Sequence, residues 1–230
     1  MERRRTADTV RAPTVEEVRA LLRAAAALDV RYSVGIEIVA ATGMRRGEAC
    51  GLRWMDVDAP GRTLVIDESV IPAAGGAAIK SPKTRASKRR VAVDAVTLVS
   101  IEELRAEQIA LADICDVAIS DESFLLSIDP GGETPLHPDT LSKAFAKARK
   151  AADVPADVHL HSLRHFQATS LDSVISERQK QARLGWSTAH MARHYTDPIP
   201  DEDRRAAEYV GRLLRDEAPL AKVLPMHEPM

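Results

Sequence analysis

The residues of this 230-residue chain best suited to chemistry fall in three separated segments. Ala41-Thr42-Gly43-Met44-Arg45-Arg46-Gly47-Glu48 comes first, followed by Leu52, Trp54 and Asp56. Lys83-Thr84-Arg85 lies within a basic run. His161-Ser162-Leu163-Arg164-His165 is followed by Leu184-Gly185-Trp186 and then Tyr195. His161, Arg164 and His165 stand at i, i+3 and i+4, which a helix would present on one face. Arg45 and Arg164 could together clamp the non-bridging oxygens of one phosphate through planar, bidentate hydrogen bonds. Such a clamp stabilises the negative charge that develops on a pentacoordinate phosphorus. A tyrosine attacking that phosphorus must lose a proton whose ordinary pKa is about 10, and a positive pocket makes the phenolate less costly. A lysine on a hairpin could protonate the leaving 5′ oxygen. No clustered acidic pair marks a Mg²⁺ site, which suits phosphoryl transfer without a metal.

Each residue also has an ordinary explanation. Arg45 and Glu48, at i and i+3, fit a helix-surface ion pair. His161 is assigned to catalysis, and His165 to support of the site, with a purely structural role equally open. His159, His190 and His194 read as surface or packing residues. Lys80 and Lys88 flank Lys83, and any of the three could contact backbone phosphate. Lys80, Arg85, Lys88 and Arg89 are expected as DNA contacts, although the arginines, like Arg46 and Arg90, fit solvated charges as well. Tyr32 and Tyr209 are the rival nucleophiles. Tyr32 precedes the whole constellation and Tyr209 lies on an apolar helical stripe, so both read as core.

The elements that must position these residues follow from periodicity. Thr14-Val-Glu-Glu17 is a capping-box pattern leading into Val18, Leu21 and Leu22. A helix is expected over about Tyr32 to Ala41, stopped by Gly43, and a short one from about Arg45 to Leu52. Thr63–Ile66, Ala78–Lys80 and Arg90–Val93 read as one small antiparallel sheet, with the basic run on the hairpin between the second and third strands. Helices are expected again at Ala95–Leu111, from Asp139 as cap through Leu141, Phe145 and Ala148, and at His161–Leu171, Glu177–Leu184, Ala189–Tyr195 and Glu202–Leu214. Ser120–Glu133 reads as a loop around an apolar piece, Phe124–Leu126.

A hydrophobic fraction of 45% with only 3% aromatics predicts a helix-rich core of Ala, Leu, Val and Ile. No apolar run approaches a membrane span and no secretory pattern opens the chain, so a cytoplasmic protein is expected. Cys50 and Cys115 make neither a disulfide framework nor a metal cluster. The net charge of −2 weighs against nucleic acid, but Lys80–Arg90 holds six basic residues and no acid. Lys143–Lys150 is also basic, so a neutral total can conceal a basic face.

The three segments together resemble the tyrosine recombinase (phage-integrase) family. Thr42–Glu48 is similar to the family's first-arginine motif, and His161–His165 to its His-x-x-Arg-His motif. Leu184-Gly185-Trp186, with Tyr195 nine residues after Trp186, is similar to its third. The family's hairpin lysine, usually followed by threonine, corresponds to Lys83. Many members carry histidine where Trp186 stands. An indole N–H can still donate to phosphate but is a poor proton carrier, so Trp186 is expected to position and pack.

The resemblance covers about Thr14 to Tyr195. It implies a mainly α fold with a small antiparallel β-sheet (α+β) over residues 14–216, with 1–13 as an arm and 217–230 as a tail. It also implies a site-specific recombinase of double-stranded DNA at attachment sites, cleaving through a 3′-phosphotyrosyl link to Tyr195. Arg45, Arg164, His161 and Trp186 would hold the phosphate, Lys83 would act as acid and Glu48 would orient Arg45. No cofactor or membrane is implied; a homotetramer on DNA and a monomer when free are expected. Members usually carry an N-terminal helical domain that clasps the other face of DNA, and this chain starts about where the catalytic domain would. Alone it should bind DNA weakly and lose affinity steeply with salt. The helix carrying Ala206, Tyr209, Val210, Leu213 and Leu214 fits docking on its own core or on a neighbouring protomer. Two other readings are a type IB topoisomerase, disfavoured by the Trp186 to Tyr195 spacing, and a non-catalytic DNA-binding module of the same fold, disfavoured by the full catalytic set.

Overall fold

Thr14 opens the first helix in the way its sequence context anticipates. Its hydroxyl accepts the Glu17 amide at 3.2 Å, and the Glu17 carboxylate accepts the Thr14 amide at 2.8 Å, satisfying two donors that a helix start leaves orphaned. The computed structural model describes residues 11–73, 76–80, 88–186 and 200–215. Helix α1 (Val15–Ala25) turns Val18, Leu21 and Ala25 inward. Helix α2 (Val30–Thr42) is apolar on nearly every side and buried from Val34 to Thr42 apart from Glu37, as expected of a helix surrounded by others. The short α3 (Arg46–Gly51) follows at once.

The β region departs from expectation. Five strands are present among the described residues: β1 (Val57–Asp58), β2 (Thr63–Ile66), β3 (Ser69–Ala73), β4 (Gly76–Lys80) and β5 (Arg89–Ala92). They form two antiparallel sheets rather than one, β1-β2-β5 and a separate β3-β4 ribbon. The strand ending at Lys80 therefore pairs with β3, Val70 opposite Ile79, and not with β5. Strand β3 is hidden in the sequence by Pro72, which argues against a central strand but is tolerated on a two-stranded edge. In the other sheet Leu64 lies opposite Val91 and Ile66 opposite Arg89. Because side chains alternate across a strand, Leu64, Ile66, Val91 and Arg89 share the buried face, and Arg90 points to solvent.

Helix α4 (Ala95–Ile114) is capped by Asp94. The next helix, α5 (Pro138–Ala151), is capped by His137 with Pro138 in its first turn, so Asp139 lies inside the helix rather than at its cap. Proline at that position loses nothing, since its missing N–H would have been an orphan. Then come α6 (Ser162–Ser170), α7 (Glu177–Leu184) and α8 (Pro200–Leu214). The helix expected over Ala189–Tyr195 lies outside the described residues. Helices α1, α3, α4, α5, α6 and α8 all pack on α2, the centre of the fold. Helix α8 docks on its own chain, with Ala206, Val210 and Leu214 buried against α1, α2, α4, α7 and β5. Tyr32 and Tyr209 pack against the core, as expected. Cys50 is buried and Cys115 exposed, both as free thiols. Among the described residues no helix is long and apolar enough to cross a membrane.

Gly43 ends α2 in the left-handed conformation, with φ 69°. A Cβ there would lie 2.6 Å from Leu184 Cδ2 and 3.1 Å from the Gln167 side chain. Gly43→Ala thus meets both backbone strain and a close contact, and should destabilise the fold by roughly 1 to 3 kcal/mol. Urea unfolding should show a lower midpoint with an unchanged slope.

Candidate active site

The start of α3 fixes the first arginine. The Arg45 amide donates to Glu48 Oε2 at 2.7 Å and its guanidinium to Oε1 at 2.9 Å, leaving the Arg45 side chain half-exposed. Arg89 grips the same carboxylate from the protein interior, 2.8 Å to Oε2 and 3.2 Å to Oε1. Arg89 was expected among solvent-facing DNA contacts. It is instead buried on the inner face of β5, where its Nε donates to the Arg183 carbonyl at 2.9 Å. Burial by itself pushes the Glu48 carboxyl pKa up. The Arg89 hydrogen bonds and charge, the Arg45 amide and the Arg45 charge outweigh it and bring the carboxyl down to about 2.

Arg164 is buried on α6. One terminal nitrogen donates to the Gly43 carbonyl at 2.7 Å and the other to the Leu184 carbonyl. Its guanidinium carbon lies 5.7 Å from the Trp186 ring centroid, within cation–π range. Burial and then the charges of Arg45 and Arg89 lower its pKa to about 10, with Glu48 opposing. It stays charged at neutral pH.

His161 stands at the N-cap position of α6 without a side-chain capping bond, and its ring meets that of His165 edge-on at 5.2 Å. The His161 pKa is lowered, by partial burial first and then by the charges of His165, Arg164 and Arg45. The structure therefore brings Arg45, Glu48, His161, Arg164, His165 and Trp186 into one cluster built from three separate stretches of chain. Arg46 pairs with Asp139 and Ser142, each at 2.9 Å. Lys80 ends β4 in solvent, and Lys88 pairs with Asp67 at 3.0 Å. Lys83, Arg85, His190, His194 and Tyr195 lie outside the described residues.

Sequence reasoning missed Arg183. It is fully buried on α7 and donates to Ala41 O at 2.9 Å, Ala92 O at 3.1 Å and Asp203 Oδ1 at 2.7 Å. The one available signal was its place immediately before Leu184-Gly185, where a helix ends against the site.

This arrangement of helices and small sheets recurs in solved structures. The Tn1549 transposon integrase in complex with circular intermediate DNA matches with a TM-score of 0.60 and 20% identity, over 88% of this chain and 68% of that one. A lambda integrase tetramer bound to a Holliday junction matches with a TM-score of 0.51 and 20% identity, over 77% of this chain and 47% of that one. The fold is that of tyrosine recombinase catalytic domains. The model of the phage integrase family matches residues 13–202, and the chain belongs to that family. The integrase of Escherichia phage HK022 is 28% identical over 187 residues, 80% of this chain and 46% of that protein. The chain spans about half the length of the curated relatives it matches.

Two outcomes follow from the electrostatics. Glu48 has a folded-state pKa below its ordinary value of 4.5. The stability it contributes is complete above that value and is lost as pH falls toward 2. Glu48→Gln should cost roughly 3 to 5 kcal/mol near neutral pH, because Arg89 stays buried without its carboxylate. It should also flatten acid unfolding across that window, as read by circular dichroism. The His161 imidazole should titrate below the ordinary histidine value of 6.5 in the free protein, and Arg45→Ala should shift it upward in an NMR titration.

Proposed function

We propose that this chain is the strand-cleaving part of a site-specific DNA recombinase, with residues 14–216 as its catalytic domain. The observation that carries the reading is Arg164, buried and pre-oriented by two backbone carbonyls beside Arg45, with His161 and Trp186 at hand. A guanidinium held so, in a cluster with more positive charge than Glu48 can balance, suits a phosphodiester whose charge grows in the transition state. In the proposed reaction the Tyr195 phenolate attacks phosphorus. The bond from phosphorus to the 5′ oxygen breaks, and a 3′-phosphotyrosyl link forms. Lys83 gives the leaving 5′ oxygen its proton. A 5′ hydroxyl from the partner strand then attacks the link, and the tyrosine leaves with its bond energy conserved in the new phosphodiester. Arg45 and Arg164 hold the non-bridging oxygens, Glu48 aligns Arg45, and Trp186 packs and donates.

Double-stranded DNA at attachment sites is the proposed substrate, and four copies are the proposed assembly on it. The likeness to a tetramer bound to a Holliday junction supports that assembly. The proposed place of action is the cytoplasm, and Lys80, Arg85 and Lys88 are proposed as backbone phosphate contacts.

The test is incubation with nicked suicide DNA carrying candidate attachment sites, followed by denaturing electrophoresis. The wild type should give a protein–DNA band that Tyr195→Phe lacks. Arg164→Ala should slow band formation by about 10²–10³-fold, the loss typical of removing one preorganised donor. A band that persists in Tyr195→Phe would overturn the assignment of the nucleophile.

A further inference from the structure

Arg183 and Asp203 form the most deeply buried ion pair among the described residues: their side chains are 0% and 8% exposed and meet at 2.7 Å. Asp203 Oδ2 also accepts the Ala92 amide at 2.5 Å. One pair thereby joins three elements: α7 through Arg183, the first turn of α8 through Asp203, and the last residue of β5. Arg183 reaches a fourth through Ala41 O, near the end of α2. The network continues into the site. The Arg183 carbonyl accepts from Arg89, Arg89 grips Glu48, and Glu48 holds Arg45. The carbonyl of the next residue, Leu184, accepts from Arg164. Both clamp arginines thus take their positions from backbone that Arg183 fixes.

We propose that Arg183 and Asp203 are a positioning pair for the reaction proposed above, on which this inference rests. The pair ties the phosphate clamp to α8, and its two members precede and follow residues 187–199 in sequence. A buried, hydrogen-bonded ion pair holds the elements it joins in one geometry. Small errors in the position of reacting groups are expensive in rate even where binding is intact. Loss of the pair should therefore reduce the rate of cleavage more than the affinity for DNA.

The test compares wild type, Asp203→Asn and Asp203→Glu in the full chain. DNA affinity is read by fluorescence anisotropy on nicked duplex, and single-turnover adduct formation at saturating DNA gives a rate constant and an amplitude. Asp203→Asn should form adduct about tenfold to a hundredfold more slowly, with affinity within about twofold. Asp203→Glu should recover part of the rate, because the carboxylate is restored. A purely structural role would lower the folded fraction, and hence the amplitude, while leaving the rate constant unchanged; that result would overturn the inference. So would a wild-type rate in folded Asp203→Asn. If Asp203→Asn fails to fold, the same comparison of rate and amplitude on Asp203→Glu decides. A wild type that forms no adduct would overturn the recombinase reading and this inference with it, whereas an active wild type with an unaffected variant overturns this inference alone.

Discussion

Taking a guanidinium out of water costs several kcal/mol unless its donors find acceptors, and this chain buries Arg89, Arg164 and Arg183 within one cluster. The acceptors come largely from the ends of helices. Gly43 follows α2 and Ala41 lies in its last turn; Arg183 and Leu184 close α7. Carbonyls at a helix C-terminus lack intrahelical partners and carry the negative end of the helix dipole. Buried arginines and helix ends thus solve each other's problem. The same solution recurs at the edge of the fold, where Arg19 on α1 donates to the carbonyls of Leu213 and Arg215 at the end of α8. Glu48 and Asp203 neutralise Arg89 and Arg183, whereas the hydrogen bonds described for Arg164 go to neutral carbonyls.

That difference separates framework from proposed clamp. Arg89 and Arg183 have their charges balanced inside the protein and hold strands and helices together. Arg164 is oriented but not neutralised, and Arg45 is half-exposed while sharing its carboxylate with Arg89. Positive charge gathers where Arg45, Arg164 and His161 meet, and after burial it is the second cause of the lowered pKa values of Arg164 and His161. An arriving phosphate would relieve repulsion already present, with little reorganisation of the groups that bind it.

The clustering of Arg45, Glu48, His161, Arg164 and His165 was legible in the sequence because these residue types stand at spacings that local structure dictates. Arg45 precedes a short helix with Glu48 one turn on, and His161, Arg164 and His165 share another. Most helices were legible from their caps and apolar periods, α7 to its bounds. The framework was not. Arg183 sits on a helix with little apolar period, and its carboxylate is 20 residues away on another element. Arg89 looked like one more member of a basic run. Its alternation with Val91 and Val93 pointed inward, but a charge run ordinarily means solvent. Strand β3 was lost to Pro72, and with it the division into two sheets.

The basic run also shows why counting charges misjudges how much positive charge is available to a polyanion. Of its described members, Arg89 is consumed by Glu48, Lys88 pairs with Asp67, and Arg90 pairs with Asp58 at 2.9 Å. These pairings are not equivalent. An exposed pair is worth at most about 1 kcal/mol, so a phosphate can replace Asp67 or Asp58 at small cost. Arg89 cannot be released without stranding Glu48 in the interior and loosening Arg45. Affinity for a polyanion should therefore draw on the exposed lysines and Arg90 and depend on salt, while the geometry of Arg45 and Arg164 draws on the buried network and does not. Separating the two lets a chain with a net charge of −2 present a strongly positive site without being a generally basic protein.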